Sequence, residues 1–187
     1  MTLRTAVCVY HRGRLAVAQR IPRGKGTPQE NNGGFGVLRF LWEPGNIERL
    51  RTGFEHVATL TREGRELETP FQGSGVDLLK TIATAEKCVP IWPDIDFATD
   101  CWCDWAYLVD LDQNTFEVYV LGGRGWSEYS DCTYLSKLAE VDDCRGPCLL
   151  KRFSFSQLPA TTGEFIDSLA AVIKERGVFV SGYKWAP

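Results

Sequence analysis

Residues 105–120 carry the pattern that leaves this chain the fewest architectural choices. Trp105-Ala106-Tyr107-Leu108-Val109-Asp110-Leu111 is rich in aromatic and β-branched residues. Asp112-Gln113-Asn114 is turn chemistry, and Thr115-Phe116-Glu117-Val118-Tyr119-Val120 returns with Phe116, Val118 and Val120 in alternation. Two such runs across a short polar turn predict a β-hairpin, closed by Gly122-Gly123. A second hairpin opens the chain. Thr5–Tyr10 is apolar at both phases of a period of two, the mark of a central strand covered on both faces. His11-Arg12-Gly13-Arg14 supplies a turn, and Leu15–Ala18 is the returning strand.

Between the hairpins the pattern turns helical. Residues 22–36 hold two Pro and five Gly and predict a loop. Gly36–Leu41 predicts a short helix ended by Pro44-Gly45. Asn46 is placed to cap a longer helix, with Ile47, Leu50, Phe54 and Val57 on one face. Residues 61–73 predict a loop. Ser74 with Asp77 predicts the cap of a third helix, with Leu78, Leu79, Ile82 and Ala83 toward the core; Pro90 and Pro93 close it. Residues 124–148 are irregular, with a short helix near Leu135–Ala139. Leu149–Phe155 alternates as a fifth strand, and Thr161 with Glu164 caps a last helix whose stripe is Phe165, Leu169, Val172 and Ile173. Gly177 stops that helix, and 178–183 predicts an edge strand. The fold expected is α+β: an antiparallel sheet of two hairpins plus a further strand, with helices packed on it, over one domain, 1–187.

Composition restricts the setting. The 187 residues are 44% hydrophobic and 24% charged, enough for one unaided core. No apolar run approaches the ~18 residues of a membrane span. Met1–Arg4 leads directly into strand, so we expect no signal peptide and a cytoplasmic location. Seven cysteines cannot all pair within one chain, and reduced thiols are expected. Net charge is −3 but segregated: residues 1–65 carry eleven Lys/Arg against five Asp/Glu, and residues 66–187 carry ten against nineteen. Mutual attraction of the two halves across the fold is the simpler account; an anionic partner is the other.

Several segments resemble an uncharacterised family of phages and bacteria with fungal relatives. They are Arg4-Thr5-Ala6-Val7 with the hairpin ending Ala16-Val17-Ala18-Gln19, then Cys103-Asp104-Trp105-Ala106-Tyr107 running through Tyr119, and Phe35–Leu41 after a Gly-rich loop. Together they span about a third of the chain. The family's aromatic-Asp-(Gly/Ser)-Tyr-Pro segment is replaced here by Ile21-Pro22-Arg23-Gly24-Lys25-Gly26-Thr27. The resemblance implies a phage setting and therefore a host-cell cytoplasm. It brings no catalytic signature.

Four sets of residues could carry chemistry. Thr2, exposed if Met1 is removed, could act as base and nucleophile in one residue, as in N-terminal-nucleophile amide hydrolases; the plainer reading is an ordinary second residue. Cys101, Cys103, Cys144 and Cys148 number the four thiolates of a tetrahedral zinc site, though their spacings are unusual. Zinc is the one cofactor this raises, against a plainer expectation of none. Arg20, Arg23, Lys25 and Thr27, around a Gly-rich loop before a helix, could hold a phosphate, although the Walker spacing is absent. Asp94, Asp96, Asp100, Asp104, Asp110 and Asp112 crowd one span, most simply as a solvated acidic face. Six tryptophans are many for this length, and Trp92, Trp102 and Trp126 are placed to anchor a protein interface if they lie on loops. The expectation is an accessory binding protein that blocks or sequesters a component of host anti-phage defence, with a host protein or a nucleotide as partner. Direct nucleic-acid binding is not favoured and no membrane is involved. The rival is an amide hydrolase using Thr2.

Overall fold

The computed structural model describes residues 5–21, 26–59, 75–91, 104–121 and 147–176. Both hairpins form. β1 (Thr5–His11) pairs antiparallel with β2 (Arg14–Ile21). Arg12 and Gly13 both take positive φ, 54° and 74°, as the tight primed turn between right-twisted strands requires. Two short strands, β3 (Val57–Thr59) and β4 (Val89–Ile91), pair in parallel apart from the main sheet. β5 (Trp105–Asp110) pairs antiparallel with β6 (Thr115–Leu121). Asn114 takes φ 58° in the turn, a conformation Asn tolerates. β7 (Pro147–Ser154) adds antiparallel to β6.

The main sheet has the order β2-β1-β5-β6-β7. The fold is therefore α+β, with both hairpins in one mostly antiparallel sheet. One correction concerns its middle: β1 and β5 run parallel, Thr5 against Trp105 through Tyr10 against Asp110. Two hairpins can join through either pairing sense, and strand patterns alone do not choose. A parallel pair needs a long crossover connection, and the helical stretch between the hairpins belongs to that connection.

Four α-helices are described: α1 (Gly34–Trp42), α2 (Asn46–Gly53), α3 (Gly75–Ala83) and α4 (Thr162–Arg176). α1 starts two residues before the expected Gly36. α2 is shorter than its apolar spacing implies. Phe54–His56 is a 3-10 turn and Val57 already belongs to β3. Gly53 keeps right-handed helical dihedrals into that turn and lets it pack closely on α3, since a Cβ there would overlap the carbonyl oxygen of Ile82. Asn46 does not cap α2; Gly45 precedes the helix in the left-handed conformation, and Asn46 Nδ2 donates to Phe40 O at 2.8 Å. Pro90 does not close the region but sits in β4, which within its two-stranded sheet has an open side. α4 starts as the sequence implies. Glu164 N donates to Thr161 Oγ1 at 3.1 Å, and the Glu164 carboxylate accepts from Ala160 N at 2.7 Å. The cap at Ser74, the helix near 135–139 and the strand at 178–183 lie outside the described residues.

Alternation splits the sheet into two buried faces. Val7, Val9, Val17, Trp105, Tyr107, Phe116, Val118 and Phe153 join Leu38, Leu79, Ile82 and Phe165 in the main core. Phe116 sits amid aromatic neighbours, 6.5 Å from Tyr107, 6.1 Å from Phe153 and 6.0 Å from Phe165 between ring centroids. The other face carries smaller residues: Ala6, Cys8, Ala18, Ala106 and Leu108, with Tyr119.

Candidate functional site

Three polar centres emerge from this frame: one closed on itself, one tying two turns together, and one open to solvent. The first lies on the small-residue face. Glu117, on β6, is 1% exposed and accepts from Tyr119 Oη and from Arg152 Nε, both at 2.5 Å, and from Thr115 Oγ1 at 3.2 Å. A buried carboxylate is tolerable only when its lone pairs are filled and its charge is met, and here both conditions hold. Burial, and then the neighbouring Glu117 charge, push the Tyr119 hydroxyl far above its usual range. Burial works against the Arg152 cation, but its bond to Glu117 outweighs that and raises its pKa. Cys8, fully buried on the same face, is pushed up to about 12 by loss of solvent. A thiol held protonated in this way is a poor nucleophile and a poor metal ligand.

The second centre ties the two hairpin turns together. The Asp112 carboxylate accepts from Arg12 N at 3.0 Å and Gly13 N at 2.8 Å. Burial pushes Asp112 upward, but these two amides outweigh it and hold its pKa below the ordinary value. His11 stands beside it, Nδ1 to Asp112 Oδ1 at 3.6 Å, with its ring 5.2 Å from Phe54. Burial and the adjacent Arg12 cation lower the His11 pKa. Asp110 Oδ1 accepts from Asp112 N and Gln113 N at 2.9 and 2.8 Å, closing the turn from inside. Burial raises its pKa. Asp110 is thus buried in the scaffold, while Asp112 stays exposed to solvent and at the same time bonds the facing turn.

The third centre is open. A cleft of about 430 Å³ lies between α1 and α3, with residues of α2 and of the preceding loop at its ends. Arg39 and Glu43 come from the α1 side, Lys80 and Asp77 from α3, and Asn31 and Asn32 from the loop. The side chains of Phe40 and Val76, nearly fully buried, supply its apolar lining. Gly36 fixes the geometry: a Cβ there would overlap the carbonyl oxygen of Asn31 and press on Val76. Only glycine lets the loop lie against α1 beside α3. The guanidinium of Arg39 sits 5.8 Å from the centre of the Phe35 ring, one helical turn back, which limits its freedom. Arg39 and Lys80 make no ion pair among the described residues. Arg49 is partly engaged, donating to Pro44 O at 2.6 Å.

The residues singled out from sequence fare unevenly. Arg20 lies on β2 opposite Ala6, on the small-residue face. Gly26, next to Thr27, packs against Thr5 and accepts from Tyr107 Oη at 2.8 Å, on the helix-bearing face. Thr27 N is bonded to the Glu30 carboxylate at 3.0 Å, so a protein carboxylate already occupies the amide a phosphate would use. Arg20 thus stands on the face of the sheet opposite the one Gly26 packs on. Cys148 lies in β7 opposite Val120. Thr2, Arg23, Lys25, Trp92, Trp102, Trp126, Cys101, Cys103 and Cys144 lie outside the described residues, as do Asp94, Asp96 and Asp100. Among the described residues no group of three or more His, Cys, Asp or Glu is placed to hold a metal ion, and no helix is long and apolar enough to cross a membrane. The cleft residues Arg39, Glu43 and Lys80 were not legible as a set. The one available signal was Arg39 and Glu43 at i, i+4, which reads first as an ordinary exposed pair.

Neither family models nor curated proteins nor solved structures give a match to this chain.

Proposed function

We propose that this chain is a small accessory binding protein, phage-encoded, that sequesters a component of host anti-phage defence and holds it at the α1–α3 cleft. One observation carries the binding part: an open cleft of ligand size in which Arg39 and Lys80 lack anionic partners among the described residues. About 430 Å³ falls within the ~300–1,000 Å³ usual for ligand sites. Cations without partners in a concave site are poised to meet an anionic group, since their pairing is left to the ligand. The phage setting rests on the family resemblance of the hairpin segments. The test is native mass spectrometry of the purified chain mixed with host extract. A complex lost in the Arg39→Ala/Lys80→Ala double variant is expected; free chain alone, or a complex indifferent to both changes, would overturn the reading.

A second reading, an N-terminal-nucleophile amide hydrolase using Thr2, draws on a separate observation. β1 is an interior strand, and at its leading end Thr5 Oγ1 is buried with no hydrogen-bond partner among the described residues. In such hydrolases the first residue supplies both the amine base and the nucleophile, and an unsatisfied hydroxyl at the start of β1 is a polar group it could use. Retention of Met1 by intact mass, or unchanged amidase activity in Thr2→Ala, would end it.

A further inference from the structure

We infer that the ligand of the α1–α3 cleft is a nucleoside monophosphate, its phosphate held between Arg39 and Lys80; this rests on the binding reading above and names the ligand class. The cleft is lined by three kinds of polar group over an apolar floor, and a nucleotide presents a complement to each.

The first kind is cationic and comes from two walls. Arg39 is on α1 and Lys80 on α3, so a bound anion would bridge two helices rather than lie along one. Arg39 brings a planar fork suited to two phosphate oxygens; Lys80 brings a compact point charge. Both residues are exposed, and neither is paired among the described residues. Both also stand in the last turn of their helices, where a cation favours the helix dipole on its own account. A role confined to the helix ends would show in stability and leave binding untouched, so the two roles are separable by experiment.

The second kind accepts hydrogen bonds. Glu43, one turn beyond Arg39, is exposed; its carbonyl accepts from Asn46 N, but its carboxylate makes no hydrogen bond or ion pair among the described residues. A carboxylate beside a phosphate site repels a second phosphate but accepts readily from sugar hydroxyls, as acidic residues do in dinucleotide folds. The third kind is amide: Asn31 and Asn32 each present donors and an acceptor at the loop edge, matching the mixed pattern of a base. Phe40 gives that region an apolar floor.

Charge and size decide against a nucleic-acid strand. A strand needs a continuous cationic track for its backbone. This cleft alternates Arg39 and Lys80 with Glu43 and Asp77, and its ~430 Å³ accommodates one small ligand.

The experiment is isothermal titration of the full chain with AMP, GMP, CMP and UMP, and separately with adenosine and inorganic phosphate. At least one monophosphate is expected to bind, more tightly than adenosine or inorganic phosphate alone. Arg39→Ala and Lys80→Ala are each expected to weaken it by about tenfold or more, as loss of a charge-assisted bond implies, and Glu43→Gln by less. Thermal melts of the variants should stay within a few degrees of the parent. Absence of binding by all four monophosphates overturns the inference, as does binding unchanged in both alanine variants. If no monophosphate binds while a variant-sensitive complex still forms with host extract, the ligand class falls and the binding reading survives. If both experiments are blank, both fall.

Discussion

The two faces of the central sheet solve the same burial problem by opposite means. Toward the helices, β5, β6 and β7 present Tyr107, Phe116 and Phe153, and α4 answers with Phe165. Order there comes from volume: large rings fill space and tolerate few alternatives. On the reverse face the strands carry Ala6, Cys8, Ala18 and Ala106, and specificity comes from the Glu117–Tyr119–Arg152 network. The difference teaches that a doubly buried sheet can be apolar by shape on one side and polar by pairing on the other. Damage to the two should therefore look different.

The largest effect is expected from Phe116→Ala, which leaves a void among three rings and should cost about 3–5 kcal/mol, read as a lowered denaturation midpoint. If it costs less than ~1 kcal/mol, shape is not what holds that face. On the reverse face, Arg152→Ala strips the cation from a carboxylate that is 1% exposed. Breaking a buried pair costs ~3–5 kcal/mol, but Arg152 is 44% exposed and solvent compensates, so about 2 kcal/mol is expected. Adding Glu117→Gln to Arg152→Ala should restore part of that loss, whereas no second apolar change should rescue Phe116→Ala. Failure of the double variant to recover would remove the distinction between the faces.

The smallest effects belong to the turns that lie beyond both faces. Asp112→Ala frees two amides in an exposed turn that water can reach, and about 1 kcal/mol is expected from thermal or chemical melts. The pH response separates the groups. His11 has its pKa lowered from 6.5, so the unfolded chain takes up this proton first. Its contribution is complete above about 6.5 and is lost as pH falls toward the lowered value. Asp112, lowered from 3.8, behaves likewise in a more acidic window, and Asp110, raised from 3.8, opposes it there. The melting temperature should thus drop between pH 7 and 5.5, and His11→Gln should flatten that part of the curve.

Much of the scaffold was legible because its signals are local. Alternation at Thr115–Val120 and the Thr161/Glu164 cap depend on neighbours in sequence, and both are found as expected. The parallel seam between β1 and β5 was not legible, because either pairing sense buries the same side chains. Nor was the end of α2, where the helix tightens into a 3-10 turn at Phe54 and Val57 passes into β3. The cleft was the least legible of all. Arg39 and Lys80 stand 41 positions apart in the chain, and only the placing of α1 against α3 makes them neighbours of one cavity. Nor did the acidic run show that Asp110 would be buried or that Asp112 would bond a turn about a hundred residues away.

The parallel seam also bears on how the chain comes into being. β1 is apolar on both sides, and its β5 neighbour begins at Trp105. At roughly 5–20 residues per second, a ribosome takes on the order of 5–20 s to deliver that partner. Throughout that interval the nascent first hairpin has one hydrogen-bonded edge and nothing to lay its second edge against. Such a segment is a natural client for holding chaperones, and synthesis rate rather than final stability would then govern how much of the protein a cell accumulates.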